Sequence, residues 1–383
     1  MRSSVIHLWL VVALTATVLY GGTLAMTSEA AESPPPVSPA DSPTDSPPAT
    51  PQPAPPSVPA VATPHLALLL PLASNALARH AEAVSNGFLA AARTQGAPLP
   101  VHIYATGDDA KSIIDEYRRA LAAGARVVVG PLTRGAATAI AESAMVMVPT
   151  LALNVPDPQV GTPPGFYILS LQVEAEARQV AQLAFREGRR SALTVNGDTL
   201  LLRRIHQAFV EEFTRLGGAH AGEHMYTPDP GGLTRIKLAA EASDADMAFI
   251  ALDLSRARRA RAYLGSLPLY GTSQVHPGDA TPLVGFDLAG VRFLDMPWVL
   301  QPDHPAVMVY PRADYRDNIE FDRLYALGID AYRIAVVLLV GVPSEALDGV
   351  TGRLTLGRDL QFIRGLTVAQ FNDGKLTVLR ERP

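Results

Sequence analysis

The run LALLLPL at 66–72 constrains the fold most. Seven consecutive apolar positions suit a strand covered on both faces, the kind found in parallel sheets flanked by helices. The next hundred residues keep to that plan. Val84, Phe88 and Ala92 fall on one helix face, and Ile113, Tyr117 and Leu121 recur at four-residue steps on the next. Strand-like segments lie at VHIYA (101–105), RVVVG (126–130) and VPTLALN (148–154). Such alternation predicts an α/β protein with a parallel, doubly wound sheet.

FYILSL (166–171) then leads into a second series. A helix over 174–187 precedes the strand SALTV (191–195), and a helix over 199–216 stacks Ile205, Phe209, Phe213 and Leu216. Strands near 219–226, 247–252 and 267–271 alternate with helices near 232–242 and 255–264. The expected architecture is two lobes, each a mainly parallel sheet flanked by helices. The expected division gives lobe 1 residues 65–171 and 275–341, and lobe 2 residues 172–274 and 342–383, with crossings near 171, 275 and 342. Residues 275–317 are rich in Pro and irregular. Beyond them, DRLYALGIDAYRIAVVLLVG (322–341) reads as a helix with Ala331, Ala335, Leu338 and Leu339 on one stripe. GVTGRLTL (349–356) reads as a Gly-rich turn opening a strand, with Leu354 and Leu356 on one face and Thr355 on the other.

The N-terminal part has a different character. Arg2, the apolar stretch 8–26 and the small-residue site SEA (28–30) read as a signal peptide or membrane anchor over 1–31. Residues 32–64 repeat Pro, Ser, Ala, Thr and Asp, so no core forms there and a disordered linker is expected. In polyproline form, at about 3.1 Å per residue, it reaches on the order of 100 Å. Everything after the first segment is expected outside the cytoplasm, in the periplasm, with the N-terminal segment as its one membrane contact.

Composition removes several functions. A net charge of −5 gives no electrostatic case for nucleic acid. The absence of Cys excludes disulfides, thiolate metal sites, Cys nucleophiles and a lipidated Cys. The nine His show no HExxH or HxH spacing, and His220 and His224 lie on a strand or loop, so no metal site is expected. GPLTRG (130–135) lacks the ending of a phosphate loop, and no GxSxG is present. Asp108 and Asp109 read as a helix cap. No cofactor and no enzymatic activity are expected.

The wording of LYALGIDAY followed by a GxTGxL turn resembles the C-terminal domain of the LpoA family. VRFLDMPW (291–298), LALN (151–154) and the GPL of GPLTRG resemble that family's segments in the same order, so the likeness runs over about 65–380. The resemblance implies a periplasmic-binding-protein type I-like fold. It also implies a non-enzymatic activator of a bifunctional, class A penicillin-binding protein, acting by direct contact to stimulate peptidoglycan synthesis. Family members often carry a lipidated Cys and an N-terminal helical repeat domain. This chain has no Cys, and a Pro-rich stretch stands where that domain would be. Outer-membrane anchoring is therefore not carried over. The alternative is a periplasmic solute-binding or sensory protein for a small polar ligand such as an amino acid.

A cleft between two such lobes lies at the carboxyl ends of the parallel strands. Its candidates are Ser74, Asn75, Gly130, Thr133 and Asn154 from the first lobe, and Asn196, Asp198 and Asp253 from the second. In solute-binding relatives, hydroxyl and backbone donors at the first such places hold a ligand carboxylate. The competing reading is local: Ser74 and Asn75 cap the next helix, and Asn154 starts a turn. RARRARA (256–262) places Arg256 and Arg259 along a helix, a solvated basic face or a docking patch for an acidic partner. Trp298 is expected to be buried, and Asp295 to pair with Arg292.

Overall fold

The structure, a computed structural model, describes residues 62–278, 282–315, 318–342 and 344–379. The expected signal or anchor segment and nearly all of the Pro-rich linker lie outside the described residues. Among the described residues, no helix is long and apolar enough to cross a membrane.

The first series folds as β1 (His65–Leu70), α1 (Ala78–Gln95), β2 (Val101–Ala105), α2 (Ala110–Ala122), β3 (Ala125–Val129), α3 (Arg134–Glu142), β4 (Thr150–Ala152) and β5 (Phe166–Leu169). Every residue of β1 is buried, as a strand with helices on both faces requires. The second series runs α4 (Val173–Arg186), β6 (Ser191–Asn196), α5 (Leu200–Arg215), β7 (Ala219–Met225), α6 (Pro230–Ala242), β8 (Met247–Ala251), α7 (Leu254–Arg261) and β9 (Leu269–Gly271). The irregular stretch holds α8 (Pro282–Asp287), β10 (Val291–Asp295), α9 (Pro297–Leu300) and α10 (Pro305–Met308). The chain ends in α11 (Ile319–Val340), β11 (Leu347–Asp348), β12 (Arg353–Leu356), β13 (Gln361–Gly365), β14 (Thr367–Asn372) and β15 (Lys375–Leu379).

Two sheets result. The first has the order β11-β12-β13-β5-β4-β3-β1-β2, the second β15-β14-β10-β9-β8-β6-β7. Both are mainly parallel, and the antiparallel pairs gather at one end of each, β11–β12–β13 in the first and β10–β14–β15 in the second. Each sheet has an apolar cluster on both faces, which is the doubly wound arrangement.

The late elements distribute differently from the expectation. β10 pairs with β9, so the irregular stretch up to Asp295 belongs to lobe 2, not lobe 1. β13 pairs with β5, so 347–365 belongs to lobe 1, not lobe 2. The chain therefore passes between the sheets at 170–172, at 296 and at 366, and the expected crossings at 275 and 342 are corrected. Local pattern could not assign these strands, because a short strand reads the same in either sheet. Its membership is set by pairing partners distant in sequence.

Helices α1 and α11 lie side by side over the first sheet. Tyr332 meets the Phe88 ring edge-on, with centroids 5.2 Å apart, and its hydroxyl donates to the Gly96 carbonyl at 3.0 Å. The approach is close enough that glycine is required on each side. A Cβ on Gly87 would overlap the Tyr325 carbonyl, and one on Gly328 the Val84 carbonyl. Backbone cannot yield as a flexible side chain can. Gly328→Ala is therefore expected to cost about 1–3 kcal/mol in urea unfolding. Gly135→Ala, on α3 with open space around the site, is expected to be neutral or stabilising by about 0.5–1 kcal/mol. Equal midpoints for the two variants would contradict this account of the crossing.

Candidate functional site

Most of the buried charged residues gather where the chain passes between the lobes. Asp295 ends β10 in lobe 2 and is 1% exposed. It accepts from Arg323 Nη2 of α11, in lobe 1, at 2.6 Å and contacts His276 Nδ1 at 2.8 Å. Its other oxygen accepts from the Met296 amide at 2.8 Å, at the second crossing. A second buried pair also joins the lobes. Glu176 of α4 lies 3.5 Å from Arg364 Nη2 of β13 and accepts from Ser273 Oγ at 2.6 Å. Arg364 donates to the Ser170 carbonyl at 3.0 Å, which is the first crossing. Arg323 donates to the Ser273 carbonyl at 3.1 Å, so the two pairs share a residue between them.

A third carboxylate completes the cluster. Asp330 of α11 is fully buried and receives the amides of Val350 (3.1 Å) and Thr351 (2.7 Å) and the Thr351 hydroxyl (2.7 Å). The same turn is reached from the other side, because Val350 O accepts from the Trp298 amide at 2.9 Å. Thus DMPW, LYALGIDAY and GVTGRL meet at one place. Trp298 is fully buried, with the Arg312 guanidinium 3.9 Å from its ring centroid. Arg292 does not pair with Asp295. Three residues apart on a strand, they face opposite sides, and Arg292 reaches Glu187 instead.

The electrostatics follow from burial and partners. Burial alone would raise the Asp295 carboxyl, but Arg323 and His276 beside it hold it at about 2. Burial raises Glu176 despite Arg364, and raises Asp330 despite Arg333 and the Thr351 donors. Arg323 is raised, since Asp295 and Glu320 outweigh its own desolvation.

The cleft between the lobes is a separate cavity of about 410 Å³. Thr133 and Asn154 line it from lobe 1, with Glu174 and Arg204 from lobe 2. Leu77, Leu132, Leu153, Leu324 and Leu327 make it largely apolar on the lobe-1 side. Four of its polar side chains are already engaged, while the buried Nδ1 of His80, also in the lining, has no hydrogen-bond partner. Thr133 caps α3, accepting from the Ala136 amide at 3.3 Å. Asn154 donates to Leu132 O at 3.1 Å and accepts from the Val155 amide at 2.9 Å. Glu174 is paired with Arg204.

The remaining candidates do not line this cavity. Ser74 Oγ accepts from the amides of Ala76 and Leu77, the local role that competed with the ligand reading, and Asn75 is exposed. Gly130 holds a φ of 107° that favours glycine, and a Cβ there would overlap Leu69 O, so its role is backbone geometry. Asn196 is buried against Glu223, donating at 2.8 Å. Asp253 caps α7, accepting from the Arg256 amide at 3.0 Å. Arg256 is ion-paired with Asp253 and Asp198, and Arg258 with Asp287, so the Arg-rich helix is largely engaged within lobe 2. Arg259 stays exposed and lines a pocket of about 250 Å³ with Asp198 and Arg256. Among the described residues, no group of three His, Cys, Asp or Glu could hold a metal ion.

Sequence reasoning missed Glu176, Arg323, Asp330 and Arg364 as a set. The available signal was a lone charge within an apolar run, as in FLDM and LGIDAY, since such charges are buried only when paired.

Two mainly parallel sheets, three crossings and a cleft at the strand ends define a two-lobed protein of the periplasmic-binding-protein type I class. Residues 58–374 match the family described as LppC putative lipoprotein, and the chain belongs to that family. Penicillin-binding protein activator LpoA of Pantoea ananatis is 25% identical over 300 residues, covering 66% of this chain and 44% of the relative. LpoA of Haemophilus ducreyi is 26% identical over 322 residues, covering 81% and 54%. The chain thus spans about half the length of these curated relatives. The LpoA C-domain of Haemophilus influenzae, a regulator of PBP1A, superposes with a TM-score of 0.71 at 22% identity, covering 82% of this chain and all of that one. A putative branched-chain amino acid ABC transporter from Chromobacterium violaceum superposes with a TM-score of 0.70 at 40% identity, covering 80% of this chain and 99% of that one. The resemblance to the LpoA family read from the motifs is borne out, as is the two-lobed fold.

Asp295 is depressed below its ordinary value of 3.8, so its contribution to stability is present above about pH 4 and is lost as the pH falls towards 2. Asp295→Asn removes the buried partner of Arg323, leaving it Glu320 at the protein surface, and is expected to cost roughly 3–5 kcal/mol at neutral pH. In urea titrations the gap from the parent should narrow below about pH 4. A gap that stays constant down to pH values near 2 would remove Asp295 as the depressed carboxylate.

Proposed function

We propose that this domain is a non-enzymatic periplasmic activator of a class A penicillin-binding protein, stimulating peptidoglycan synthesis by direct protein contact. The observation that carries this is the cleft. Its Thr133, Asn154, Glu174 and Arg204 side chains are engaged with the protein itself, so a solute would have to displace them. The names of the LpoA relatives support the partner, and the engaged cleft supports a partner that acts on the outer surface. Complex formation would favour a synthase state of higher cross-linking activity, a bias that requires tighter binding to that state than to the other. The apolar segment 8–26 supports a periplasmic location, and the lack of Cys supports an anchor other than a lipidated Cys.

A second reading is solute binding, favoured by the 40% identity to the Chromobacterium violaceum protein. The apolar leucines of the cleft suit a small aliphatic ligand. On this reading Thr133 and Asn154 exchange their internal bonds for the ligand's.

The two readings separate in one experiment. Residues 62–383 are expected to capture a purified class A synthase and raise its cross-linking output several-fold. Thr133→Ala and Asn154→Ala should leave that stimulation within about twofold, because a synthase is too large to enter a 410 Å³ cleft. Arg259→Ala should weaken it if the exposed guanidinium docks. Tight binding of a free branched-chain amino acid that Thr133→Ala abolishes, with no effect on any synthase, would replace the first reading with the second.

A further inference from the structure

Two lobes joined by three crossings can in principle rotate about them and close on a ligand. That motion needs each crossing to bend freely. Here the first two are tied into the buried cluster and the third to side chains beside it. At the first, Ser170 O accepts from Arg364, a residue of the strand that leads to the third. At the second, the Met296 amide is bound by the Asp295 side chain, and Trp298 is fastened to the Val350 turn of lobe 1. At the third, the Leu366 amide donates to Gln179 Oε1 of α4 at 3.2 Å, and Thr367 Oγ1 donates to Gln301 Oε1 at 2.8 Å.

The charges explain why these ties hold together. Glu176 and Asp295 belong to lobe 2, Arg323 and Arg364 to lobe 1, and all four are at most 5% exposed. Each anion faces a cation of the opposite lobe, so both pairs are complete only while the lobes stay in register. Rotating one lobe would break both buried interlobe pairs at once, leaving Arg323 only Glu320 of its own helix and Asp295 only His276 and the Met296 amide, or force water into the joint. Trp298, Met296 and Tyr325, which lie near the second crossing, are all buried. Ser273 bridges both pairs, giving its carbonyl to Arg323 and its hydroxyl to Glu176, so neither pair can shift without the other.

We propose that the crossed ion pairs Arg323–Asp295 and Arg364–Glu176 lock the two lobes into one rigid body, so that the domain offers a fixed interlobe surface and does not open and close about its cleft. This goes beyond the activator reading and holds or fails independently of it. A partner then meets a preformed surface that spans both lobes. A small molecule entering the cleft occupies it without moving the lobes.

The absence of Cys makes the test direct, because two introduced thiols are the only labelling sites. Nitroxide pairs are placed at exposed positions, one at Glu142→Cys on α3 with Thr214→Cys on α5, the other at Ala73→Cys with Gln207→Cys. Interlobe distances are read by double electron–electron resonance in the folded domain, with and without millimolar leucine, isoleucine and valine. The expected result is one narrow distance for each pair, unchanged by the amino acids, and a broadened or second distance in Asp295→Asn. If Asp295→Asn does not fold, Glu176→Gln decides. It keeps a hydrogen-bonding group for Ser273 but removes the charge opposite Arg364, and it should broaden the same distances. A broad or two-peaked distribution in the parent overturns the lock, as does a shift on adding an amino acid. So does an unchanged narrow distribution in the folded charge variants.

Discussion

The contact on which the rest of the structure depends is the bidirectional exchange of charge between the lobes. Arg323 leaves lobe 1 for Asp295 in lobe 2, and Glu176 leaves lobe 2 for Arg364 in lobe 1. Four buried charges are a liability to a fold, since each must recover its lost hydration from a partner. Part of it comes from neighbours in the same lobe, but the charge partners Arg323–Asp295 and Arg364–Glu176 meet only where both lobes are present. The ion pairs therefore add little to either lobe alone and act as a specification of how the two fit together. Many hydrophobic contacts could be satisfied by a range of lobe orientations. Paired charges at hydrogen-bonding distance, with Ser273 between them, are satisfied by very few.

Three short motifs gain a common physical meaning from this. In LYALGIDAY, Gly328 permits the close approach of α11 to α1, and Asp330 turns inward to bind the Val350–Thr351 amides. In GVTGRL, those amides form a turn whose Val350 carbonyl also receives the Trp298 amide. In DMPW, Asp295 takes the cation from α11, and Trp298 is buried under Arg312. Each motif supplies a group that another motif needs. Their likeness to a family is thus a likeness of the joint between lobes, and it says little about which outer surface meets a partner.

How far the sequence discloses such a protein depends on the range of the interaction involved. Strand β1 and the helix faces carrying Phe88, Tyr117 and Phe209 were legible, because burial imposes a local period on the residues. The lobe membership of β10 and β13 was not, because it depends on pairing with β9 and β5. The same limit hid the site. Asp295 was visible as a polar residue in an apolar strand, but its partner lies 28 residues on, and Arg292, nearer in sequence, faces away. Glu176 and Arg364 are separated by 188 residues, and no local pattern joins them. The cleft candidates fared unevenly for a further reason. Ser74 and Asp253 occupy the strand ends that the fold assigns to ligands, yet their side chains serve the first turns that come after them. A helix cap and a ligand contact call for the same residue types at the same place, and only the hydrogen bonds separate them.

A binding protein that signals by closure needs a soft joint and an unsatisfied cleft, since closure is driven by groups that find partners only in the closed state. This domain has a joint of buried ion pairs instead, and most of its cleft is engaged, with His80 Nδ1 the exception among the lining residues named. Its cleft residues Thr133, Asn154, Glu174 and Arg204 have partners already. Its joint holds buried charges paired across the two lobes. The same fold can therefore serve two different tasks, and the distribution of satisfied and unsatisfied polar groups indicates which. Where they are free in the cleft, the fold is suited to capture and motion. Where they are committed in the joint, it is suited to presenting one shape, and recognition moves to the outer faces of the lobes.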